Sequence, residues 1–384
     1  LPAFLRNEKI RGILYQIITI VLFVGFLFYI AQNTAHNIEQ RGIKTGFAFL
    51  HATAGFDITE SPIPFTPAST HWEVFKVGLL NTLIVSFWGI VFSSLIGLVI
   101  GVWRLSPNWL INRIAAAYIE TFRNIPVLLQ ILFWYNVVLA TLPSTRHSIN
   151  LFDTVFITNR GFFMPEFVFG DGSWMIGVAL IVAVLAIVWL HRWAKRRQDL
   201  TGEQFPVFLT GVTLLIALPL LAYLIAGKPV TAVYPELHGF NFKGGKTFTP
   251  EFLALLFALS IYTATFIAEA IRSGIEAVPK GQKEAATSLG LSPLKQLRLV
   301  VLPQAVRIAI PSVINQYLNL IKNSSLAAAI GYPELVTIFA GTSLNQTGQA
   351  LEILLITMLT YLLISLIVSL ILNWFNAKMK IKER

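Results

Sequence analysis

Eight stretches of roughly 20 mostly apolar residues punctuate this chain, at 13–31, 77–102, 114–140, 174–191, 206–226, 252–271, 308–330 and 351–373. A helix needs about 20 such residues to cross a hydrocarbon core about 30 Å thick. Only helices and closed barrels satisfy their own backbone hydrogen bonds there. The pattern predicts an all-α integral membrane protein with about eight transmembrane helices. Composition agrees: 12% of residues are charged, half the roughly 25% of soluble proteins, and mean hydropathy is +0.69. With no cysteine in the chain, disulfides, zinc-thiolate sites and thiol catalysis are excluded. The first run follows Arg6, Lys9 and Arg11, and no small-x-small cleavage site comes after it. It reads as a retained membrane helix rather than a signal peptide.

The net charge of +10 would suggest nucleic acid in a soluble protein. Here the better account is that basic residues mark the cytoplasmic ends of spanning helices, and no soluble basic domain exists to bind nucleic acid. With the N-terminus inside, the inner segments hold 19 Lys and Arg and the opposite side holds 8. The inner set includes Arg104, Arg113, the run Arg192 to Arg197, Arg272, Lys280, Lys283 and Arg307; the outer set includes Arg41, Lys44, Arg146, Arg160 and Lys243. Both termini are therefore expected in the cytoplasm.

The spans differ in kind. Residues 77–140 and 252–373 carry small and polar residues such as Gly97, Gly101, Ser93, Ser94, Ala264 and Ala268, which let helices approach closely in lipid. Residues 142–250 hold a polar loop, two featureless spans joined by a basic turn, and a second outer loop. This predicts an N-terminal helix and outer connector over 1–76, a first core part over 77–141, an insertion with a transmembrane hairpin over 142–250, and a second core part over 251–384. The core then has five helices. No internal repeat is visible.

One cytoplasmic loop carries an ordered pattern. Pro279 and Gly281 break the sixth span, and Gln282 to Leu289 can form a short helix whose Ala285 and Ala286 offer a small face. Gly290 allows the backbone to reverse, Ser292 and Pro293 can start a second helix, and Leu302-Pro303 is expected to end it before the next span. Together these read E-A-A-x3-G-x9-V-x-L-P from Glu284 to Pro303. The pattern resembles the EAA loop of the membrane subunits of ABC importers, a helix-turn-helix that docks into a separate ATPase. The resemblance implies that Glu284, Ala285, Ala286, Gly290, Leu302 and Pro303 form a coupling lever.

A second constellation comprises Gln316, Asn319, Lys322, Asn323, Ser324 and Ser325, in the middle of the seventh span. Gln316, Asn319 and Asn323 share one helix face. Polar groups at bilayer depth are costly unless they face a cavity or another helix, so a substrate path for a small zwitterion is the expectation and interhelical hydrogen bonding the alternative. Asn81 and Thr82 on the second span are placed with this path on polarity alone. Glu120 with Arg123, and Glu269 with Arg272, are spaced i, i+3 and read as structural ion pairs near inner helix ends. Gly244-Gly245-Lys246-Thr247 imitates the end of a phosphate-binding loop, but Phe240 stands where the first Gly is required. The six scattered histidines contain no i, i+3 or i, i+4 pair, so no metal site is expected.

With these residues, the chain resembles the permease subunits of polar amino-acid ABC importers, and especially the long permeases of general L-amino acid uptake. The resemblance is carried by Gly78-Leu79-Leu80-Asn81-Thr82-Leu83, by Glu120-Thr121-Phe122-Arg123 through Pro126 and Gln130, by Tyr262-Thr263-Ala264 through Glu269, Arg272 and Gly274, and by Lys322-Asn323-Ser324-Ser325-Leu326. It implies a type I importer fold in a bacterial inner membrane. The implied partners are a second permease subunit, identical or homologous, an ATPase dimer that holds ATP and Mg, and a periplasmic amino-acid-binding protein. No cofactor is expected in this chain and no catalytic residue. The family's substrate position maps onto Gln316 and Asn323, and two amides there favour a broad amino-acid range. Two other classes account for less: an ion-coupled secondary carrier leaves the EAA-like loop unexplained, and a membrane scaffold leaves the polar cluster unexplained.

Overall fold

The computed structural model describes residues 8–40, 42 and 45–379. The basic residues Arg6, Arg41, Lys44, Lys380, Lys382 and Arg384 lie outside them. The chain divides into two units, one made of the residues up to Leu132 with those from Leu255, the other of Phe133–Ala254.

The first unit begins with α1 (Glu8–Gln40), which has no buried residue. The connector after it packs Phe49, Ala54 and Ile58 into apolar clusters with residues of later helices, among them Phe75, Val77, Ile338 and Phe339. Helix α2 (His71–Arg104) starts at a capping box, with Glu73 accepting from the Thr70 N–H at 2.9 Å. One stripe of α2 is small and buried, and its glycines let neighbours in: a Cβ on Gly97 would stand 2.7 Å from Ile267, and one on Gly101 would stand 3.0 Å from the Ala268 carbonyl. The opposite face, with Phe87, Trp88, Phe92, Leu95 and Leu98, is exposed and apolar, as a lipid-facing surface requires.

The third apolar run is not one straight helix. It forms α3 (Trp109–Asn124) and α4 (Val127–Phe133), continued by a π-helical turn to Leu139, with a 100° bend between them. Pro126 has no N–H to continue the ladder and drives Ile125 into an extended conformation, φ −89° and ψ 126°. The buried Gln130 amide braces the break by donating to the Phe122 and Ile125 carbonyls at 2.8 and 2.9 Å. Among the described residues, seven helices are long and apolar enough to cross a membrane, or eight with this bent pair taken as one span.

The second unit adds short strands in the two loops, to which the sequence assigned no secondary structure. Two helices still form the hairpin, α5 (Trp174–Thr201) and α6 (Val207–Ile225). Its turn uses Gly202 at φ +75° and an Arg197–Glu203 ion pair at 2.6 Å. The loops on either side of it form eight short strands: β1 (Ile149–Leu151), β2 (Val155–Thr158), β3 (Gly161–Met164) and β4 (Glu166–Phe169) before the hairpin, and β5 (Val230–Val233), β6 (Glu236–His238), β7 (Asn241–Lys243) and β8 (Lys246–Phe248) after it. They pair antiparallel as β1-β2-β3-β8, β4-β5 and β6-β7. Gly244 and Gly245, both at positive φ, make the turn between β7 and β8. The phosphate-loop look-alike is therefore a strand connection.

The chain then enters α7 (Pro250–Glu276), most of whose apolar stretch is buried. Two short helices follow, α8 (Lys280–Ser288) and α9 (Pro293–Gln296), then a π-helical turn Leu297–Val301 and α10 (Leu302–Asn323). Beyond α10 come a 3₁₀ turn Ser324–Ala329, a π-helical segment Val336–Ser343, the single turn α11 (Leu344–Thr347) and α12 (Ala350–Met379). Gly274 lets α7 lie against α10, since a Cβ there would stand 2.6 Å from the Ala305 carbonyl.

Candidate functional site

Helix α8 ends in a left-handed reversal. Gly290 sits at φ +73°, and the Leu291 N–H reaches back to the Ala286 carbonyl at 3.2 Å. Gln296 on α9 donates to the Lys283 carbonyl at 2.6 Å, tying the two short helices together. Ala286 is buried, whereas Glu284, Ala285 and Gly290 are exposed. Leu289 at the tip is 80% exposed. At the base, Val278, Val301 and Ala305 form a small core with Ile275.

Leu302-Pro303 does not end the second helix, contrary to expectation. Pro303 lacks an N–H and its ring crowds the carbonyl one turn back. The chain widens instead of breaking: Leu297–Val301 is a π-helical turn and the Leu302 N–H bonds the Leu297 carbonyl. The segment after α9 thus runs through the π-helical turn into α10 without a break.

On α10 the polar residues divide. Asn319 and Lys322 are exposed, and Gln316 and Asn323 are half-buried. Asn315 and Ser312, which the sequence reading passed over, are exposed on the same stripe as Asn319 and Lys322. Ser324 and Ser325 lie past the helix end rather than at mid-helix. Their hydroxyls donate to the Ile321 and Lys322 carbonyls, each at 2.7 Å, and Ser324 is fully buried. Both hydroxyl protons serve the helix terminus. The signal that could have found Asn315 was there, since 312, 315, 319 and 322 follow a helical 3–4–3 spacing.

Asn81 and Thr82 belong elsewhere. Both are buried. The Asn81 amide donates to the Glu60 and Pro333 carbonyls, both at 2.9 Å, and Thr82 accepts from the Leu335 N–H at 3.1 Å. They lash the loop before Val336 to α2. The same loop holds Glu334, which is fully buried and accepts from the Val336 and Thr337 N–H groups, the Thr337 hydroxyl and the Tyr361 hydroxyl at 2.8–2.9 Å. Burial raises its pKa against the opposing pull of those donors. Nothing in the sequence marked Glu334 as buried, because the chain around it reads as a turn.

The two predicted ion pairs part company. Arg272 bonds Glu269 at 2.9 Å and also Glu276 at 2.5 Å. Glu120 and Arg123, by contrast, form no ion pair with each other among the described residues; both are exposed beside the bend at Pro126. Spacing alone does not decide a pair where the helix ends within a turn. No group of three metal-ligating side chains comes together among the described residues.

A bundle of membrane helices with an exposed polar stripe and a protruding helix-turn-helix has the build of a transporter's membrane subunit. The family described as "Binding-protein-dependent transport system inner membrane component" matches residues 203–381. The chain is 49% identical over 378 residues to the general L-amino acid transport system permease protein AapQ of Rhizobium johnstonii, covering 98% of this chain and 94% of that one. It is also 49% identical over 378 residues to the putative amino-acid ABC transporter permease protein YhdX of Escherichia coli, with 98% and 96% covered. Against the glutamate/glutamine/aspartate/asparagine transport system permease protein BztB of Rhodobacter capsulatus the identity is 39% over 415 residues, with 100% and 97% covered. The chain belongs to this family of inner-membrane permease components of binding-protein-dependent importers.

Proposed function

We propose that this permease forms the substrate path of an ATP-driven importer of L-amino acids and takes its motion from a separate ATPase through α8 and α9. The observation that carries the reading is mechanical continuity. The pair α8–α9 is braced by the Gln296–Lys283 bond and runs through the π-helical turn into the helix bearing the polar stripe. A push on the exposed Leu289 and Glu284 is then passed through the braced pair and the π-helical turn toward Gln316, Asn319 and Asn323. Rigid elements that shift as units are how small movements become changes of access.

In this reading the partner ATPase dimer holds ATP and Mg, and this chain binds no cofactor and performs no hydrolysis. A substrate-binding protein delivers the amino acid on the outer side, and a second permease, identical or homologous, completes the path. Both termini, the α8–α9 loop and the turn at Gly202 face the cytoplasm. The amino-acid class is supported by the relatives, described as amino-acid transport permeases, and the amides of α10 suit it: each can donate to a carboxylate and accept from an ammonium group.

The test is uptake of labelled L-amino acids by vesicles holding the permease, its ATPase and its binding protein. Uptake is expected to require ATP inside and to survive ionophores that collapse proton and sodium gradients. Uptake without ATP that those ionophores abolish would mean an ion-coupled carrier.

A further inference from the structure

Helices α5 and α6 of the second unit pack on each other through small residues. Ala183, Ala194, Gly211 and Ala222 are buried, and a Cβ on Gly211 would meet Ile187 at 3.7 Å. Small residues are what membrane helices use to approach one another, and this hairpin uses them in its own seam. Its remaining faces are bulky: Val184, Val188, Phe208, Leu209 and Ile216 are exposed. Such faces suit acyl chains better than a closely packed helix.

Beside the seam lies a groove of about 480 Å³, lined among others by Ile187, His191, Val207, Gly211, Val212 and Leu215. Along α6 it extends from Val207 to Leu215, about 12 Å, most of the roughly 15 Å depth of one leaflet's hydrocarbon. His191 is the one polar side chain in the lining. Lys195 stands one turn beyond it and continues the same face of α5. The order along that face is an apolar slot, an imidazole and then an ammonium. Both basic side chains are exposed, and neither forms an ion pair among the described residues. Arg197, on another face, is already held by Glu203 at 2.6 Å and stacks over Trp193. Trp189 and Trp193 are exposed at the level of His191, and such aromatic residues mark a membrane–water interface. The groove therefore begins at headgroup height and runs into the hydrocarbon.

We infer that this groove binds an anionic phospholipid of the inner leaflet, with one acyl chain in the slot between α5 and α6 and the phosphate on His191 and Lys195. Basic residues at an inner helix end follow from sidedness alone; what sets this pair apart is the slot beneath it. The choice of leaflet rests on the proposed cytoplasmic placement of the Gly202 turn.

For the test, the full-length permease is purified in mild detergent with the subunits that accompany it. It is equilibrated with phosphatidylglycerol or phosphatidylcholine of identical chains, and retained lipid is counted by native mass spectrometry. The wild type is expected to retain phosphatidylglycerol about fivefold or more over phosphatidylcholine. Lys195→Gln is expected to lose most of that preference. Arg196→Gln, which removes the same charge from a face turned away from the groove, is expected to keep it. Val212→Trp fills the slot with every cation in place and is expected to lose the bound lipid; Leu215→Trp serves if that variant does not insert. Equal losses in Lys195→Gln and Arg196→Gln overturn the inference, because the attraction is then diffuse. Unchanged retention in the tryptophan variant also overturns it, and so does a tryptophan variant that sheds its partner subunits, since the slot then seats a protein. Retention in detergent is read without sidedness, so a Gly202 reporter that reads outside overturns the leaflet separately.

Discussion

Asn81 shows how one amide can set the position of three segments. Its nitrogen donates to the Glu60 and Pro333 carbonyls from inside α2, so the outer connector, α2 and the loop before Val336 share one side chain. Replacing it with leucine takes the donor from two carbonyls, of which the buried one at Pro333 costs about 1–3 kcal/mol. Asn81→Leu is therefore expected to lower the thermal unfolding midpoint of the detergent-solubilised permease by several degrees, and an unchanged midpoint would remove the tether. The sequence showed that a polar residue at this depth needs a partner, but not which one. A partner about 250 residues away in sequence leaves no local trace. Glu269 and Arg272 were legible because both lie within one unbroken helix; Glu120 and Arg123 were not, because the helix ends at Asn124, one residue after Arg123.

At the scale of elements, the helix-turn-helix of α8 and α9 was legible from its Ala pair and Gly, while the join to α10 was misread. Proline normally stops a helix, but a single widened turn absorbs the missing donor, and no propensity rule distinguishes the two outcomes. Gly290 is the position where the lever depends on backbone conformation alone. A Cβ there would meet nothing within 4 Å, so the strain of valine would come only from φ +73°, about 1–2 kcal/mol. Gly290→Val is expected to insert normally and to lower ATP-driven uptake by about tenfold, on the assumption that the strain shifts the docking geometry of α8 and α9. Wild-type uptake by this variant would show that the reversal does not position the ATPase. The short strands of the second unit escaped notice for a different reason. At three or four residues each, they are too brief for an alternating pattern to stand out.

Across the whole molecule, the charge bias of the loops predicts sidedness. A reporter inserted at the Gly202 turn or fused after Arg384 is expected to read cytoplasmic, and one inserted after Lys243 to read outside. A reversed reading at Gly202 alone would mean that α5 and α6 do not both span. The strand pairing has a consequence for how such a chain can be edited. The Pro143 carbonyl accepts from the Asn159 N–H at 2.9 Å, and β3 pairs with β8 through Phe162 and Phe248. The excursion from Pro143 to Phe248 comes back almost to its point of departure. It is a closed detour, with its own helical hairpin and its own clasp of strands. A cassette built this way can be acquired or shed through a short splice, leaving the rest of the sequence in its original order.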